Sequence, residues 1–292
     1  MKKSYLFAAV SIFFWSTTAT ATKLLLSSFT ALQILSVTSP VAFLFLLVLC
    51  AVKGEFEELR CMKLREILLT LGVGALGTFF YNFLLYQAIG MMAASQAFII
   101  NYLWPLMTVL FAVPILKEKM TLRKALALCL AFSGVIVVTS GGAFSSFSKD
   151  SLKGSVICIS AAVVYGLFSA LTKRSSVSRY LAMMLAYGAA SVLAFTAVAL
   201  EGDFFLPTLP EMGGLLYMGI CTCAVAFTTW ALALKTGDTT KISCLAYLTP
   251  FLSFLWTMLV LGEPFRGTSL LGLGLIVGGI LAVMWKDLKK SP

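Results

Sequence analysis

Ile99-Ile100-Asn101-Tyr102-Leu103-Trp104-Pro105, deep in one apolar run, is answered 145 residues later by Cys244-Leu245-Ala246-Tyr247-Leu248-Thr249-Pro250 in another. At the same offset Ala88 falls on Ala233, Glu118 on Glu263 and Gly134 on Gly279, with no gap. At an offset of 150, Trp15 falls on Tyr165, Ser16 on Gly166, Thr22 on Thr172 and Lys23 on Lys173. A shared offset across matching apolar runs is the signature of an internal duplication. The expected units are residues 1–145 and 150–292.

Around these motifs the chain is too greasy for an ordinary soluble domain. Of its 292 residues 60% are hydrophobic and 12% charged, about half the usual charge, with a mean hydropathy of +0.98. Apolar segments run over Tyr5–Leu26, Thr30–Val52, Leu64–Ile89, Ala93–Leu116, Leu122–Gly141, Leu152–Thr172, Tyr180–Leu200, Met212–Leu234, Ile242–Leu261 and Thr268–Trp285. Each is near the length that crosses a bilayer, so the expected fold is an all-α integral membrane protein of ten transmembrane helices. No room is left for a separate soluble domain. A cleavable leader is the rival reading of the first segment, through Lys2-Lys3 and Ala19-Thr20-Ala21. Leu24–Leu26 prolong the apolar run, however, and the segment has a partner in the repeat, which favours a permanent helix.

With a cytoplasmic N-terminus, 18 Lys and Arg fall on the inner side and four on the outer: Lys23, Lys149, Lys153 and Arg266. That asymmetry obeys the positive-inside rule and puts both termini in the cytoplasm. Five spans per unit is odd, so the second copy enters from the opposite side and the expected architecture is two inverted five-helix repeats. Inverted repeats that exchange conformations are the basis of alternating access.

Catalysis is poorly provided for. There is no histidine, and the 12 carboxylates lie at or between the ends of the apolar runs. The seven cysteines lack zinc spacing, and Cys221-x-Cys223 lies inside an apolar run, where packing is the ordinary role. No enzyme activity, metal or cofactor is expected. The net charge of +10 forms no basic soluble face, so nucleic acid is not an expected partner; a small solute and the lipid bilayer are.

Polar groups inside apolar runs are costly and face protein or water. The fourth segment holds Gln96, Asn101, Tyr102, Trp104, Pro105 and Thr108; Asn101, Trp104 and Thr108 share one helical face, and Pro105 predicts a mid-span kink. The ninth segment answers with Tyr247, Thr249, Pro250, Ser253 and Trp256. Paired interruptions in corresponding helices point to a central site. Phe79, Asn82 and Tyr86 line a stripe of the third segment with Tyr81 beside it, and Trp15, Tyr165 and Trp230 add further rings. Aromatic walls with a few amides and hydroxyls suit a flat or amphipathic organic solute. Headgroup anchoring is the better reading of Tyr5, Tyr180, Tyr217 and Trp285, and competes for Trp230.

The candidate binding residues are thus Trp15, Tyr81, Asn82, Tyr86, Asn101, Tyr102, Trp104, Tyr165 and Tyr247, with Pro105 and Pro250 as hinges. Glu118 and Glu263 lie at opposite membrane ends and fit gates that pair with cations such as Lys119 and Arg266, or simple solvated charges. No carboxylate or histidine lies at mid-depth to couple transport to protons. Gly72, Gly74 and Gly77 mark close helix packing. Gly274 and Gly278 do so too, or form a homodimer face.

Ser243-Cys244-Leu245-Ala246-Tyr247-Leu248-Thr249-Pro250 with Gly262-Glu263-Pro264, and Asn101-Tyr102-Leu103-Trp104-Pro105 with Lys117-Glu118, resemble the EamA-type carriers of the drug/metabolite transporter superfamily. The run Asn-Tyr-Leu-Trp-Pro with Trp15-Ser16-Thr17 is most similar to the YddG-type aromatic amino-acid exporters within it. The resemblance spans essentially the full length. It implies export of aromatic or hydrophobic amino acids, or related metabolites, from a central cavity lined by Trp15, Tyr81, Asn82, Tyr102, Trp104 and Tyr165. Asn82 stands where those exporters lead one to expect histidine. An importer or multidrug exporter of the same superfamily is the alternative, and a membrane receptor or scaffold that moves nothing is the alternative of a different class. Epitope tags at the two chain ends are expected to be reached by antibody only after the membrane is permeabilised; a tag accessible on intact cells would overturn the topology.

Overall fold

The apolar runs fold as helices in a computed structural model that describes residues 2–117, 121–140, 149–236, 245–246, 248–264 and 266–290. In chain order these are α1 (Lys2–Leu25), α2 (Ala31–Lys53), the short α3 (Phe56–Cys61), α4 (Leu64–Ala75) and, after a π-helical segment at Leu76–Phe80, α5 (Tyr81–Met91). α6 (Ala94–Asn101), α7 (Trp104–Leu116) and α8 (Leu122–Ser140) complete the first half. The second half holds α9 (Lys149–Arg174), α10 (Arg179–Glu201), α11 (Leu209–Tyr217), a π-helical segment at Met218–Val225, α12 (Ala226–Thr236), α13 (Leu248–Leu261) and α14 (Gly267–Lys290). Among the described residues six helices are long and apolar enough to cross a membrane: Ala31–Lys53, Leu64–Met91, Ala94–Leu116, Ser151–Arg174, Arg179–Glu201 and Leu209–Trp230. Cys129–Val138, Leu248–Leu261 and Gly267–Gly279 are shorter apolar helices.

Local signals set the ends. Thr30 and Gln33 cap α2 reciprocally, the hydroxyl taking the Gln33 N–H at 3.2 Å and the amide oxygen the Thr30 N–H at 2.8 Å. Gly54 ends it in the left-handed conformation, φ 72°, which a side chain resists. Thr208 and Glu211 cap α11 similarly.

Polarity is arranged for lipid. Val48, Leu68, Val192 and Leu259 are exposed on the outer surface, whereas Ser16, Gln33, Thr38, Gln96, Asn101 and Thr257 are buried. Most inward hydroxyls are satisfied by their own helix: Ser16 donates to Phe13 O at 2.7 Å, Thr38 to Ile34 O at 2.9 Å and Ser191 to Tyr187 O at 2.6 Å. Such a hydroxyl sits in a helix interface without an open polar group.

Lipid offers helices no hydrophobic reason to associate, so close approach matters more. α2 packs along α10 and α8 along α14, while α1 lies against α12 and α13 as α9 lies against α5 and α7. The two π-helical segments likewise pack on α2 and α10 respectively: Met218–Val225 on α2, Leu76–Phe80 on α10. Small residues sit at these crossings. A Cβ on Gly74 would meet the Ala186 backbone at 2.6 Å, and one on Gly219 the Thr38 carbonyl at 2.9 Å. Gly77 abuts the Phe168 ring.

Two glycine expectations are corrected. Gly72 faces open space, and at the α8–α14 crossing it is Gly272, with Gly134, that lets the helices touch. Gly274 has nothing within 4 Å and Gly278 only Leu130 Cδ2 at 3.8 Å, because the tight seam falls on the neighbouring helical face. Gly272→Ala would place a methyl 2.7 Å from the Gly134 carbonyl and is expected to lower thermal stability in detergent, by about 1–3 kcal/mol on the scale of overpacked cores, while Gly274→Ala leaves it unchanged.

Candidate functional site

Four places depart from regular α-helix inside otherwise long apolar segments, and the candidate residues gather around them. α6 stops at Asn101; Tyr102 and Leu103 form a turn, and α7 restarts at Trp104 with Pro105 in its first turn. Pro105 lacks the N–H that would continue the ladder, so the break lies where the sequence places it. α13 begins just after the corresponding turn, with Pro250 buried in its first turn. The remaining two are the π-helical segments, which end at Tyr81 and Ala226. They carry no proline and were not expected; one extra residue per turn rotates the following stretch, and such segments recur at functional sites. The signal that would have marked them is the aligned pair Gly74, just before the first segment, and Gly219, at the start of the second.

The break between α6 and α7 meets the turn at Ala246 that precedes α13. Tyr102, 5% exposed, donates its hydroxyl at 3.1 Å to the Ala246 carbonyl, which also accepts the Thr249 N–H at 3.0 Å. Beside it the Asn101 amide donates to the Tyr81 hydroxyl at 2.9 Å. Asn101 is 2% exposed and its Oδ1 has no partner. A buried amide oxygen without a donor costs about 1–3 kcal/mol and is an acceptor in waiting.

Aromatic rings surround this amide on one side. Tyr165 of α9 lies 4.5 Å from Tyr81 and 5.1 Å, edge to face, from Trp104, with Phe168 at 5.5 Å. α1 and the second half build another cluster: Trp15 lies 5.2 Å from Phe227 and 5.4 Å from Trp230. Trp15, Tyr81, Trp104, Tyr165, Phe227 and Trp230 are all only partly buried. Trp230 therefore belongs to a wall with Trp15 rather than to a headgroup belt.

Other candidates stand apart. Tyr86 is 1% exposed within the main core, and Asn82 turns its amide onto the Thr78 carbonyl of its own helix at 2.6 Å. Tyr217, read as an interfacial anchor, instead ties α1 to α11: its hydroxyl lies 2.6 Å from the Thr17 hydroxyl and its ring packs on Phe14. Trp256 donates to the Ser16 hydroxyl at 3.0 Å, a second hydrogen bond from the second half onto the polar side of α1. Tyr247 and Glu118 lie outside the described residues. Glu263 accepts from the Ala94 and Ser95 amides at the start of α6 rather than from the cation expected for it. Among the described residues no cluster of His, Cys, Asp or Glu has the composition of a metal site.

Comparison with known proteins bears on what such a seam does. The model of the EamA-like transporter family matches residues 2–140 and again 152–285. The aromatic amino acid exporter YddG of Ancylobacter novellus is 26% identical over 211 residues, 71% of this chain and 72% of its own. A probable terminal-alkyne amino-acid exporter of Streptantibioticus cattleyicolor is 25% identical over 77% of this chain and 75% of its own, and the transporter YojE of Bacillus subtilis 25% identical over 99% and 98%. A solved protein crystal structure superposes on the full length of both chains with a TM-score of 0.69 at 21% identity, a likeness of fold.

Proposed function

The chain belongs to the EamA-like transporter family, and from that premise we propose that it is a secondary carrier of the bacterial inner membrane that exports aromatic or hydrophobic amino acids, or closely related metabolites. As a member of a transporter family it is a membrane protein and not an enzyme. The proposed mechanism is alternating access by two inverted five-helix halves, residues 1–145 and 150–292, with ten spans and both termini cytoplasmic. The pattern of packing supports this reading: exchanging each helix for its counterpart in the other half turns α1 on α12 and α13 into α9 on α5 and α7.

One observation carries the site: the hydrogen bond of Tyr102, at the break between α6 and α7, to Ala246 O, in the turn before α13. Two ring clusters are available to the proposed site, one beside Asn101 and one built by α1 with the second half. The Tyr81–Tyr165–Trp104 cluster adds hydroxyls and the unpartnered Asn101 oxygen, while Trp15, Phe227 and Trp230 offer hydrocarbon and indole faces. An amino acid with a large side chain matches both, its ammonium toward Asn101 and the tyrosine hydroxyls and its side chain toward Trp15. Tyr247 belongs to the same proposed site by its place in the sequence. Pro105 and Pro250 serve as the hinges, and Glu118 and Glu263 as gates at opposite mouths. Substrate flows down its gradient, because the sequence holds no histidine and no carboxylate at mid-depth to couple it to protons.

The test is counterflow in proteoliposomes. Vesicles loaded with unlabelled phenylalanine are expected to accumulate labelled phenylalanine transiently, as only a carrier permits; a receptor or scaffold gives no overshoot. Trp104→Ala is expected to cut the initial rate about tenfold, with insertion and melting temperature retained, on the scale of one lost aromatic contact. Full flux in that variant would remove Trp104 from the site. Inhibition by cationic drugs in place of amino acids would support the multidrug alternative.

A further inference from the structure

α6 starts without a cap of its own. Its N-cap residue is Ala93, which has no side-chain acceptor, and the next residue is Ala94. The amides left open there point away from any local partner. Glu263, from the other half of the molecule, supplies what is missing: one carboxylate oxygen accepts from the Ala94 N–H at 2.6 Å and the other from the Ser95 N–H at 3.1 Å. The carboxylate is held in place by its own backbone. Gly262 turns the chain at the end of α13 with φ 67°, and the Glu263 N–H donates to the Thr257 carbonyl at 3.3 Å.

The helix just before α6 is closed in the complementary way. α5 ends at Met91, and the Lys23 ammonium, at the end of α1, donates to the Ile89 carbonyl at 2.6 Å and the Met92 carbonyl at 3.0 Å. A cation sits on a helix C-terminus and an anion on a helix N-terminus, each aligned with the local dipole. The two side chains are also near enough to attract each other. The α5–α6 corner is therefore gripped on both sides, by α1 and by the end of α13.

That corner belongs to one side of the seam and its clamps to the other. α5 and α7 pack with α9; α1 packs with α12 and α13. Between these groups lie the breaks and the aromatic clusters described above. The contacts made by Lys23 and Glu263 thus lie at the end of the bundle where α1, α5 and α13 finish and α6 begins.

We propose that Lys23 and Glu263 form a latch across the seam between the two packing groups: by capping both helix ends of the α5–α6 corner they hold the outer mouth of the proposed path shut, and letting go of that corner is the step that opens it. The latch rests on the carrier reading for its meaning, and the outer side on the topology. It differs from a pair of exposed gate charges, because the partners are backbone groups and the charge signs are fixed by helix direction. Arg266, exposed one turn of chain away, has no part in it.

Hydrogen–deuterium exchange on the purified protein in nanodiscs reads the latch without requiring transport. Glu263→Gln is expected to speed exchange of the Ala94 and Ser95 amides about tenfold or more, the size expected for a lost charge-assisted bond to a backbone donor. Lys23→Met is expected to raise exchange in the same corner, and Arg266→Gln to leave it unchanged. The exchanged pair Lys23→Glu with Glu263→Lys separates capping from simple attraction, since an ammonium accepts nothing from an amide and a carboxylate donates nothing to a carbonyl. Failure of that double variant to restore protection supports the latch; restored protection overturns it in favour of a plain ion pair. Unaltered exchange in Glu263→Gln also overturns it. Should that variant lose its fold, Glu263→Asp keeps the charge with a shorter reach, and faster exchange of the same two amides supports the latch while wild-type exchange overturns it. In vesicles, released variants are expected to take up labelled phenylalanine from the outer face with a higher apparent affinity, in proportion to the open population. Wild-type vesicles without counterflow would sink the carrier reading and leave the exchange result standing on its own.

Discussion

A helix interrupted inside an apolar bundle exposes amides and carbonyls that lipid cannot satisfy, and the bundle keeps such a break only where something else binds the freed groups. That constraint organises this molecule. The turn at Tyr102–Leu103 and its counterpart before Leu248 are joined by the Tyr102 hydroxyl on the Ala246 carbonyl. The corner between α5 and α6 is closed by Lys23 and Glu263. At Leu76–Phe80 the Thr78 hydroxyl is shared by the Gly74 carbonyl of its own helix and the Ala186 carbonyl of α10. In the first two cases the partner comes from an element beyond the connection, and in the third the segment's own hydroxyl reaches out to one, so irregular backbone becomes a device for tying distant parts of the chain together.

Close packing follows from the same arrangement. Segments that turn within the bundle must lie against neighbours along their length, and Gly74, Gly219, Gly134 and Gly272 let the backbones meet at separations no side chain permits. The resulting contacts are specific to one face of each helix. That is why Gly272 matters where Gly274 does not, although both stand in the same run of small residues.

The features legible in the sequence were those with a chemical cause on the chain itself. Pro105 announces a break because it lacks an N–H; Trp15, Trp104 and Tyr165 announce a wall because lone rings at mid-segment are conspicuous; the offset between Tyr102 and Tyr247 announces a duplication. What escaped notice depends on partners. Asn82 satisfies its own helix and Tyr86 sinks into the core, two fates that a helical stripe cannot tell from lining a path. Tyr217 has the address of a headgroup anchor and the hydrogen bond of an interior residue. Glu263 was visible as a charge at a helix end, but its partners are amides, and every residue has one. Lys23 could have been found beside it, since the repeat places Lys173 at the matching position.

Duplication also left the two sides of the seam free to diverge. Trp15 corresponds to Tyr165, Ala226 to Tyr81 and Thr249 to Trp104, so residues of like position present unlike chemistry. One side holds the hydroxyls of Tyr81 and Tyr165 and the open oxygen of Asn101; the other holds Trp15, Phe227 and Trp230. A symmetric pair of walls would receive an elongated solute in either orientation. In the proposed carrier unlike walls favour one, because turning an amphipathic solute round would bring its hydrocarbon to the tyrosine hydroxyls and leave the Asn101 oxygen without a donor, a loss on the order of 1–3 kcal/mol for that one group. In the proposed carrier the backbone stays nearly symmetric, as exchange between two mouths demands, while the side chains break the symmetry that recognition cannot tolerate.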